Sequence, residues 1–532
     1  MAASHPHSES NARPDQAQTA WTIPSLLISA GVIATADVSD ALANTSIDRL
    51  TVDSRDAGVG ACFVAIAGTQ TDGHRYVSQA LGQGASAVIV EKGRCKVCDE
   101  RIIEVADTHE AIAKLAATFF GIDRLQREGK LGLIGVTGTN GKTTVVSLIT
   151  SILRAAGVKA SSLGTIGLDV PGGVTGASTT VISGMTTPPP IELCAALASA
   201  ARAGARCVAM EVSSHALDQR RTAGLRFDVA VFTNLTQDHL DYHGDMDEYA
   251  AAKRRLFDGL DIDATAVANA DDARSLFMIT NCTEPTIAFS LDNVFADVRS
   301  ENLQMGANGS TFDLHIKEEC VAVKSRLIGK HNVSNMLAAI SAAYAWGVDC
   351  SAIAKGVASI ECVPGRLERV ACESPGAVFV DYAHTPDALE NVLRVVRDVT
   401  RGRLICVFGC GGDRDKSKRA PMGRAVAALA DVGILTSDNP RHEDPQAIIN
   451  DVLAGFEGSG KCQRIVQIDR RAAIKKAIAL AGEDDTVLIA GKGHEDYQII
   501  GDKRFQFDDR QVAIEAALQT TVEAVQKIEV PA

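Results

Sequence analysis

The chain has 532 residues, 46% hydrophobic and 22% charged, with a formal net charge of −13. That length exceeds one ordinary core and predicts three domains, and no run of about 18 uncharged apolar residues is present to span a membrane. The negative balance argues against nucleic-acid binding, which needs a basic face, yet it permits an anionic small substrate held by local cations and helix N-termini. Residues 1–18 are polar, without the apolar stretch of a signal peptide, and residues 1–21 are expected to form a flexible tail. The 13 cysteines are scattered, with Cys62, Cys207 and Cys406 inside apolar runs, as expected of reduced, buried thiols in a cytoplasmic protein. Cys95-Lys-Val-Cys98 has no second pair at zinc-finger spacing.

Residues 22–128 alternate β-like runs (61–67 and 85–90) with helical ones (76–81 and 108–120), which predicts a small α/β domain. Val52-Asp-Ser-Arg-Asp56 reads as a turn beside the first of these strands.

A second domain is expected over residues 129–362, opening on Leu131-Gly-Leu-Ile-Gly-Val-Thr-Gly-Thr-Asn-Gly-Lys-Thr-Thr144. An apolar run rich in β-formers ends in a Gly-rich turn, and a helical segment, 144–153, follows at once. This is the strand–loop–helix layout of a P-loop, where backbone N–H groups and a helix N-terminus hold phosphate oxygens. Lys142 would reach the outer phosphates and the Thr143 hydroxyl would ligate Mg²⁺. The spacing departs from the standard pattern: Val136 stands where the first glycine should fall, and the glycines are Gly135 and Gly138.

Further strands are predicted over 206–212 and 227–233, whose unbroken apolar runs suit a parallel sheet buried on both faces. Polar residues gather at their carboxyl ends, where such sheets bind ligands: Glu211, Ser213, Ser214 and His215, then Asn234 and Asp238-His-Leu-Asp241. Glu211 and His239 are the metal-site candidates; each taken alone reads equally well as a capping or surface residue. A helix is predicted over 245–257, capped near Asp245 or Asp247, and Lys253 on it reads as an ordinary solvated lysine. Gly329-Lys-His-Asn-Val-Ser-Asn335 precedes a predicted helix over 336–346, and its asparagines can cap that helix or hydrogen-bond a purine edge.

Val363-Pro-Gly-Arg366 reads as a hinge. Residues 363–532 then repeat strand and helix patterns, predicting a third, doubly wound domain. Its strand ends carry four polar clusters: Asp381-Tyr-Ala-His-Thr-Pro386, Gly409-Cys-Gly-Gly-Asp-Arg-Asp-Lys416, Asp438-Asn-Pro-Arg441 and Gly491-Lys-Gly-His-Glu495. Four clusters on one sheet edge build a pocket.

Taken together, Thr137-Gly-Thr-Asn-Gly-Lys-Thr-Thr144, Glu211-Val-Ser-Ser-His215, Asn234-Leu-Thr-Gln-Asp-His-Leu-Asp241, Asp381-Tyr-Ala-His-Thr-Pro386 and Arg366 resemble the Mur ligase family from about residue 48 to about 515. The resemblance implies an α/β chain with three parts: an N-terminal uridine-nucleotide domain, a central P-loop ATPase domain and a C-terminal Rossmann-like domain. Gly138, Thr139, Asn140, Gly141, Lys142, Thr143 and Thr144 would bind ATP, with Asn332, Arg366 and Asp381. Val52, Ser54, Thr69, Gln70 and Thr71 would hold the uridine diphosphate end of a UDP-muramoyl-dipeptide, and Thr186, Thr187, Ser213, Gln219 and Arg221 its peptide end. Met185 departs from relatives that carry asparagine there. Lys253 matches a lysine carried as a carbamate, which with His239 would hold a second Mg²⁺ beside the one at Thr143 and Glu211. Asp438-Asn-Pro-Arg441 resembles the signature of members that add meso-diaminopimelate, with Arg414, Gly491 and Glu495 completing that pocket.

The implied activity is an ATP-dependent ligation through an acyl phosphate, in peptidoglycan precursor synthesis, with Lys142, Lys253, His239 and Glu211 as its catalytic residues. The implied enzyme is a cytoplasmic monomer acting on three small substrates. Two other readings remain open: a ligase of the same fold that adds lysine or extends folate with glutamate, and a P-loop switch that performs no ligation.

Overall fold

The computed structural model describes residues 21–33, 39–68, 71–171, 185–283, 285–306, 309–457 and 461–528. Two compact units result, one formed by residues 1–299, 316–319 and 336–356 and the other by 300–315, 320–335 and 357–532.

The first unit holds two parallel sheets. In the smaller, the strands Arg49–Thr51, Ala61–Val64, Ala87–Glu91 and Ile102–Val105 lie side by side in chain order. In the larger, Thr286–Ser290, Thr265–Asn269, Val229–Phe232, Gly132–Thr137, Cys207–Glu211 and Ala160–Gly164 follow in that spatial order, all parallel, with Gly167–Asp169 antiparallel at the end. One core, running in sequence from Ile23 to Met278, joins helix Thr108–Phe119 to the layers around this sheet. The P-loop strand is central, so its neighbours' carboxyl ends surround its loop.

The second unit is doubly wound. Its parallel strands run in the spatial order Ala377–Asp381, Thr486–Ala490, Leu404–Phe408, Val432–Leu435 and Gln463–Val466. Helices Pro386–Val399, Arg419–Leu429 and Pro445–Leu453 supply one apolar layer; Arg470–Leu480 and Asp509–Ile528 supply the other. Because these strands are parallel, all four polar clusters emerge on one edge.

The expected hinge at 363–366 is a closed turn. The Arg366 N–H donates to the Val363 carbonyl at 2.9 Å, and Gly365 adopts φ +67°. A Cβ on Gly365 would lie 2.1 Å from the His494 nitrogen, and one on Gly493 would lie 2.7 Å from the Gly365 oxygen. Main chain meets main chain here, so bending within the turn would break this packing.

Candidate active site

The P-loop helix runs Lys142–Ala155, beginning two residues before the predicted start because Gly141, at φ +86°, supplies its N-cap. Gly138 adopts φ +147°, and a Cβ there would meet Thr233 Oγ1 at 1.9 Å, so only glycine fits. The loop is braced by the neighbouring strand end. Thr139 N donates to Asn234 O (2.8 Å), Asn140 N to Asn234 Oδ1 (2.9 Å) and Thr233 Oγ1 to Asn140 O (2.7 Å). Asn234 was expected at this strand end without a role of its own, whereas Thr233 and Tyr249, whose hydroxyl lies 3.2 Å from Thr139 Oγ1, were not among the expected site residues. The signal for Thr233 was the Asn-Leu-Thr-Gln-Asp run that follows it at a strand's carboxyl end; Tyr249, on the helix Met246–Asp258, had none.

Lys142 Nζ donates to the Gly138 and Thr139 carbonyls at 2.9 and 2.8 Å. Lys253 Nζ donates to the same Gly138 oxygen at 2.8 Å. Lys253 is 1% exposed, not solvated as its helical position suggested, and its helix Met246–Asp258 is N-capped by Asp245. Burial, then the charge of Lys142, push the Lys253 ammonium well below the ordinary lysine range.

Beside these amines lies an aromatic cluster. The rings of His215 and His239 are 4.8 Å apart, those of His215 and Tyr242 4.2 Å, and those of His243 and Tyr249 5.1 Å. Burial depresses all three histidines, His215 to about 4, and Lys142 and Lys253 add to the depression at His239.

Glu211 ends the strand paired to the P-loop strand and is 2% exposed. It accepts hydrogen bonds from Thr165 N (2.8 Å) and Thr165 Oγ1 (3.2 Å), and among the described residues it forms no ion pair. The expected substrate residues gather around it: Thr187 Oγ1 donates to Glu211 O at 2.9 Å, Ser213 N donates to Thr187 Oγ1 at 3.0 Å, and the Thr165 and Thr186 hydroxyl oxygens lie 3.2 Å apart. Arg221 donates to Thr187 O (2.6 Å), Gln219 Oε1 (2.7 Å) and the Met185 sulfur (3.4 Å). A cavity of about 440 Å³ is lined by Ile66, Gly68, His109, Gln219, Arg221 and Tyr242, among others.

Val52 and Ser54 follow the strand Arg49–Thr51, and Thr71 follows Ala61–Val64, so all three lie toward one edge of the smaller sheet. Ser54 Oγ donates to Gln79 Oε1 at 3.2 Å. Thr69 and Gln70 lie outside the described residues.

A buried carboxylate is ordinarily paired or bound to a metal. Glu211, with the buried Thr143 hydroxyl at the head of the adjacent helix, offers the hard oxygen donors that Mg²⁺ prefers. His239, a nitrogen donor whose Nε2 lies 3.4 Å from Asp238 Oδ2, suits it less well. Among the described residues no three His, Cys, Asp or Glu side chains converge as a metal cage.

In the second unit, Asp381 accepts from Leu367 N (2.6 Å) and Ala383 N (2.7 Å), and Arg366 lies over the Tyr382 ring at 4.9 Å. Burial raises the Asp381 carboxyl against the pull of Arg366. The helix expected to begin at 336 runs Lys330–Ala345, so Asn332 lies in its first turn, with Nδ2 donating to Ile328 O at 2.9 Å. The amide thus bonds main chain rather than standing free ahead of the helix.

The third cluster of expected residues is tightly knit. Arg441 NH1 donates to Gly412 O at 2.8 Å, and Gly412 packs so close to Pro440 that a Cβ would lie 1.9 Å from its oxygen. Arg414 lies on the same loop, its Cγ 3.7 Å from where a Cβ on Gly411 would stand. Asn439 Nδ2 donates to Glu495 Oε2 at 3.0 Å. Gly491 takes φ +115°, and a Cβ there would meet Asp438 Oδ2 at 2.6 Å.

Comparison with known proteins completes this picture. Sequence models match residues 46–120 ("Mur ligase family, catalytic domain"), 136–343 ("Mur ligase middle domain") and 365–493 ("Mur ligase, glutamate ligase domain"). The chain is 44% identical over 476 residues to a protein of Solibacter usitatus named UDP-N-acetylmuramoyl-L-alanyl-D-glutamate--2,6-diaminopimelate ligase, covering 89% of this chain and 94% of that one. A protein of the same name from Xanthomonas campestris pv. campestris is 44% identical over 484 residues, covering 90% and 95%. A solved structure, also of a UDP-N-acetylmuramoyl-L-alanyl-D-glutamate--2,6-diaminopimelate ligase, aligns at 33% identity and a TM-score of 0.67 over 94% of this chain and 100% of that one. With three successive family matches and relatives aligned over almost their whole length, the chain belongs to the Mur ligase family.

Proposed function

We propose that the protein is an ATP-dependent amide ligase. It adds meso-2,6-diaminopimelate to the D-glutamate γ-carboxylate of UDP-N-acetylmuramoyl-L-alanyl-D-glutamate, in the cytoplasmic synthesis of peptidoglycan precursors that serves cell shape and division. The observation that carries this reading is the gathering of Asp438-Asn-Pro-Arg441 and Gly491 to Glu495 on one sheet edge, in a chain 44% identical to ligases named for diaminopimelate.

The γ-carboxylate attacks the γ-phosphate of ATP, ADP leaves, and an acyl phosphate forms. The amine of diaminopimelate then attacks the acyl carbon, and phosphate departs from a tetrahedral intermediate. Two anions meet in the first step, so charge neutralisation dominates its barrier. Gly138 to Thr144 cradle the phosphates through main-chain N–H groups, and Lys142 follows the charge onto the transferred phosphoryl group. Asn332, Arg366 and Asp381 are assigned to the rest of the nucleotide.

Lys253 takes up CO₂ as a carbamate. Its burial beside Lys142 favours the neutral, nucleophilic amine; adding to CO₂ with release of one proton, that amine becomes an anion attracted to Lys142. Mg²⁺, held at Thr143 and Glu211 and a second time at His239 and carbamylated Lys253, would supply the remaining neutralisation when bound. Val52, Ser54 and Thr69 to Thr71 hold the uridine end of the muramoyl substrate; Thr186, Thr187, Ser213, Gln219 and Arg221 hold its peptide.

Arg441 selects the amino acid, since its planar fork pairs a carboxylate that lysine lacks. Arg414, Asp438, Asn439, Pro440, Gly491 and Glu495 shape the rest of the pocket. Phosphate release, measured with the UDP-dipeptide and meso-diaminopimelate, L-lysine or L-glutamate in turn, tests the whole reading. Release is expected with diaminopimelate alone. Equal release with lysine, or release indifferent to amino acid, would overturn it.

A further inference from the structure

Lys492 is not among the residues assigned above to the amino-acid pocket, yet it is fully buried and holds that pocket together. The flanking glycines, Gly491 at φ +115° and Gly493 at φ +51°, turn the chain sharply at the end of strand Thr486–Ala490, and the lysine between them is 0% exposed. Its Nζ donates to Asn439 Oδ1 at 3.0 Å and to Glu495 Oε2 at 3.1 Å, and lies 3.8 Å from Asp438 Oδ1. The Tyr497 ring centroid is 5.6 Å away. An ammonium has three donors and no acceptor, and a buried one is tolerated only when paired.

The consequence for the pocket is one of polarity. Asn439 Oδ1 also accepts from Ile499 N at 2.9 Å, so both its acceptor positions are filled and the amide cannot flip. Asn439 therefore presents only N–H donors, one of which already goes to Glu495 Oε2. Glu495 is pinned through that same oxygen by two donors, leaving Oε1 to act as acceptor. Burial by itself would raise the Asp438 carboxyl, but Lys492, followed by Arg470, outweighs it and holds the group below its usual range.

We infer that Lys492 is a positioning residue for amino-acid selection: without touching the amino acid, it locks Asn439 as a donor and Glu495 as an acceptor, so that the pocket fits a distal end carrying both a carboxylate and an ammonium. This rests on the ligase reading above. A lysine substrate, with an ammonium alone, would leave the buried Asn439 amide and the half-buried Arg441 unanswered, and a site built to bond a polar group rejects analogues that lack it.

The test uses the full-length protein with Lys492→Met and Lys492→Arg. The expected result for Lys492→Met is a KM for diaminopimelate raised at least tenfold, KM for ATP and for the UDP-dipeptide within twofold of wild type, and a diaminopimelate-to-lysine preference reduced at least tenfold. Lys492→Arg should recover part of the preference.

A merely structural role would lower the active fraction, and thus kcat, with KM and preference unmoved; that result overturns the inference. Should Lys492→Met fail to fold, Lys492→Arg decides by the same KM and preference criteria: an intermediate KM and preference are expected, and wild-type values overturn the inference equally. If the wild-type protein releases no phosphate with diaminopimelate, the ligase reading has failed; if it does and the variants keep wild-type KM and preference, only the Lys492 inference has failed.

Discussion

The P-loop region and the amino-acid pocket handle charge in opposite ways. Around the P-loop, two amines share the Gly138 carbonyl, three histidines are depressed by burial, and Glu211 has no cationic partner among the described residues. In the pocket, Lys492 answers Asp438 and Glu495, and Arg441 is fixed on Gly412 O. The first region gathers amines, neutral imidazoles and a buried carboxylate around the loop proposed to hold the phosphates. The second is closed on itself and reads its ligand by the direction of a few donors and acceptors. Neutralisation calls for the former and discrimination for the latter.

Changes that remove a charge, set beside changes that keep it but alter its shape, separate the two. Arg441→Ala should lower kcat/KM for diaminopimelate by roughly 10³–10⁴-fold, and Arg441→Lys should restore little, because an ammonium lacks the planar fork. Full rescue by lysine would show that this pocket, too, works by charge alone. Lys142→Ala should cost roughly 10²–10³-fold in kcat, with Lys142→Arg recovering part of it; a variant within threefold of wild type would remove the P-loop lysine from the argument.

Rigidity of the pocket can be tested away from its polar atoms. Gly365→Ala places a Cβ 2.1 Å from the His494 nitrogen in a left-handed conformation. Strain and overpacking together should destabilise the second unit by about 3 kcal/mol. Chemical denaturation showing less than about 0.5 kcal/mol would mean that turn and strand end yield freely.

The smallest effect concerns a balanced pair outside the pocket. Burial would raise the Asp485 carboxyl, but Arg403 and the N–H groups of Gly482 and Arg403 outweigh it and hold it at about 2. Its folded value is depressed, so its stabilisation is complete above the ordinary carboxylate value of about 4 and disappears as pH falls toward 2. Asp485→Asn should flatten that part of the melting-temperature profile by a few degrees; an unchanged profile would take Asp485 out of the acid response.

Much of this arrangement can be read from the chain, because a P-loop strand and doubly wound units are written in unbroken apolar runs followed by Gly-rich turns. The helix Met246–Asp258 and its Asp245 cap agree with the pattern to within a residue. Boundaries shifted where a left-handed glycine decides them: Gly141 starts one helix early, and Gly329, at φ +93°, stands directly before Lys330–Ala345. Strands such as Gln463–Val466 and Lys503–Gln506 went unread because they are largely polar and exposed. Lys253 shows the sharper limit. Its spacing marks an exposed helical lysine, and only the resemblance to relatives singled it out, because burial depends on the tertiary neighbours of Gly138. Lys492 had a local signal, a lysine between two glycines at a strand end, but its partners are 53 residues away at Asn439 and 3 away at Glu495.

The contact between Gly365 and Gly493 bears on how this chain can be cut and lengthened. Two stretches of bare main chain lie against each other, so the junction fixes the number of residues on each side as well as the two glycines themselves. A one-residue insertion between Val363 and Arg366 should part them and misplace Lys492, whereas the same insertion before Val363 should be absorbed. Truncations and fusions designed to isolate the amino-acid pocket therefore need to begin upstream of Val363.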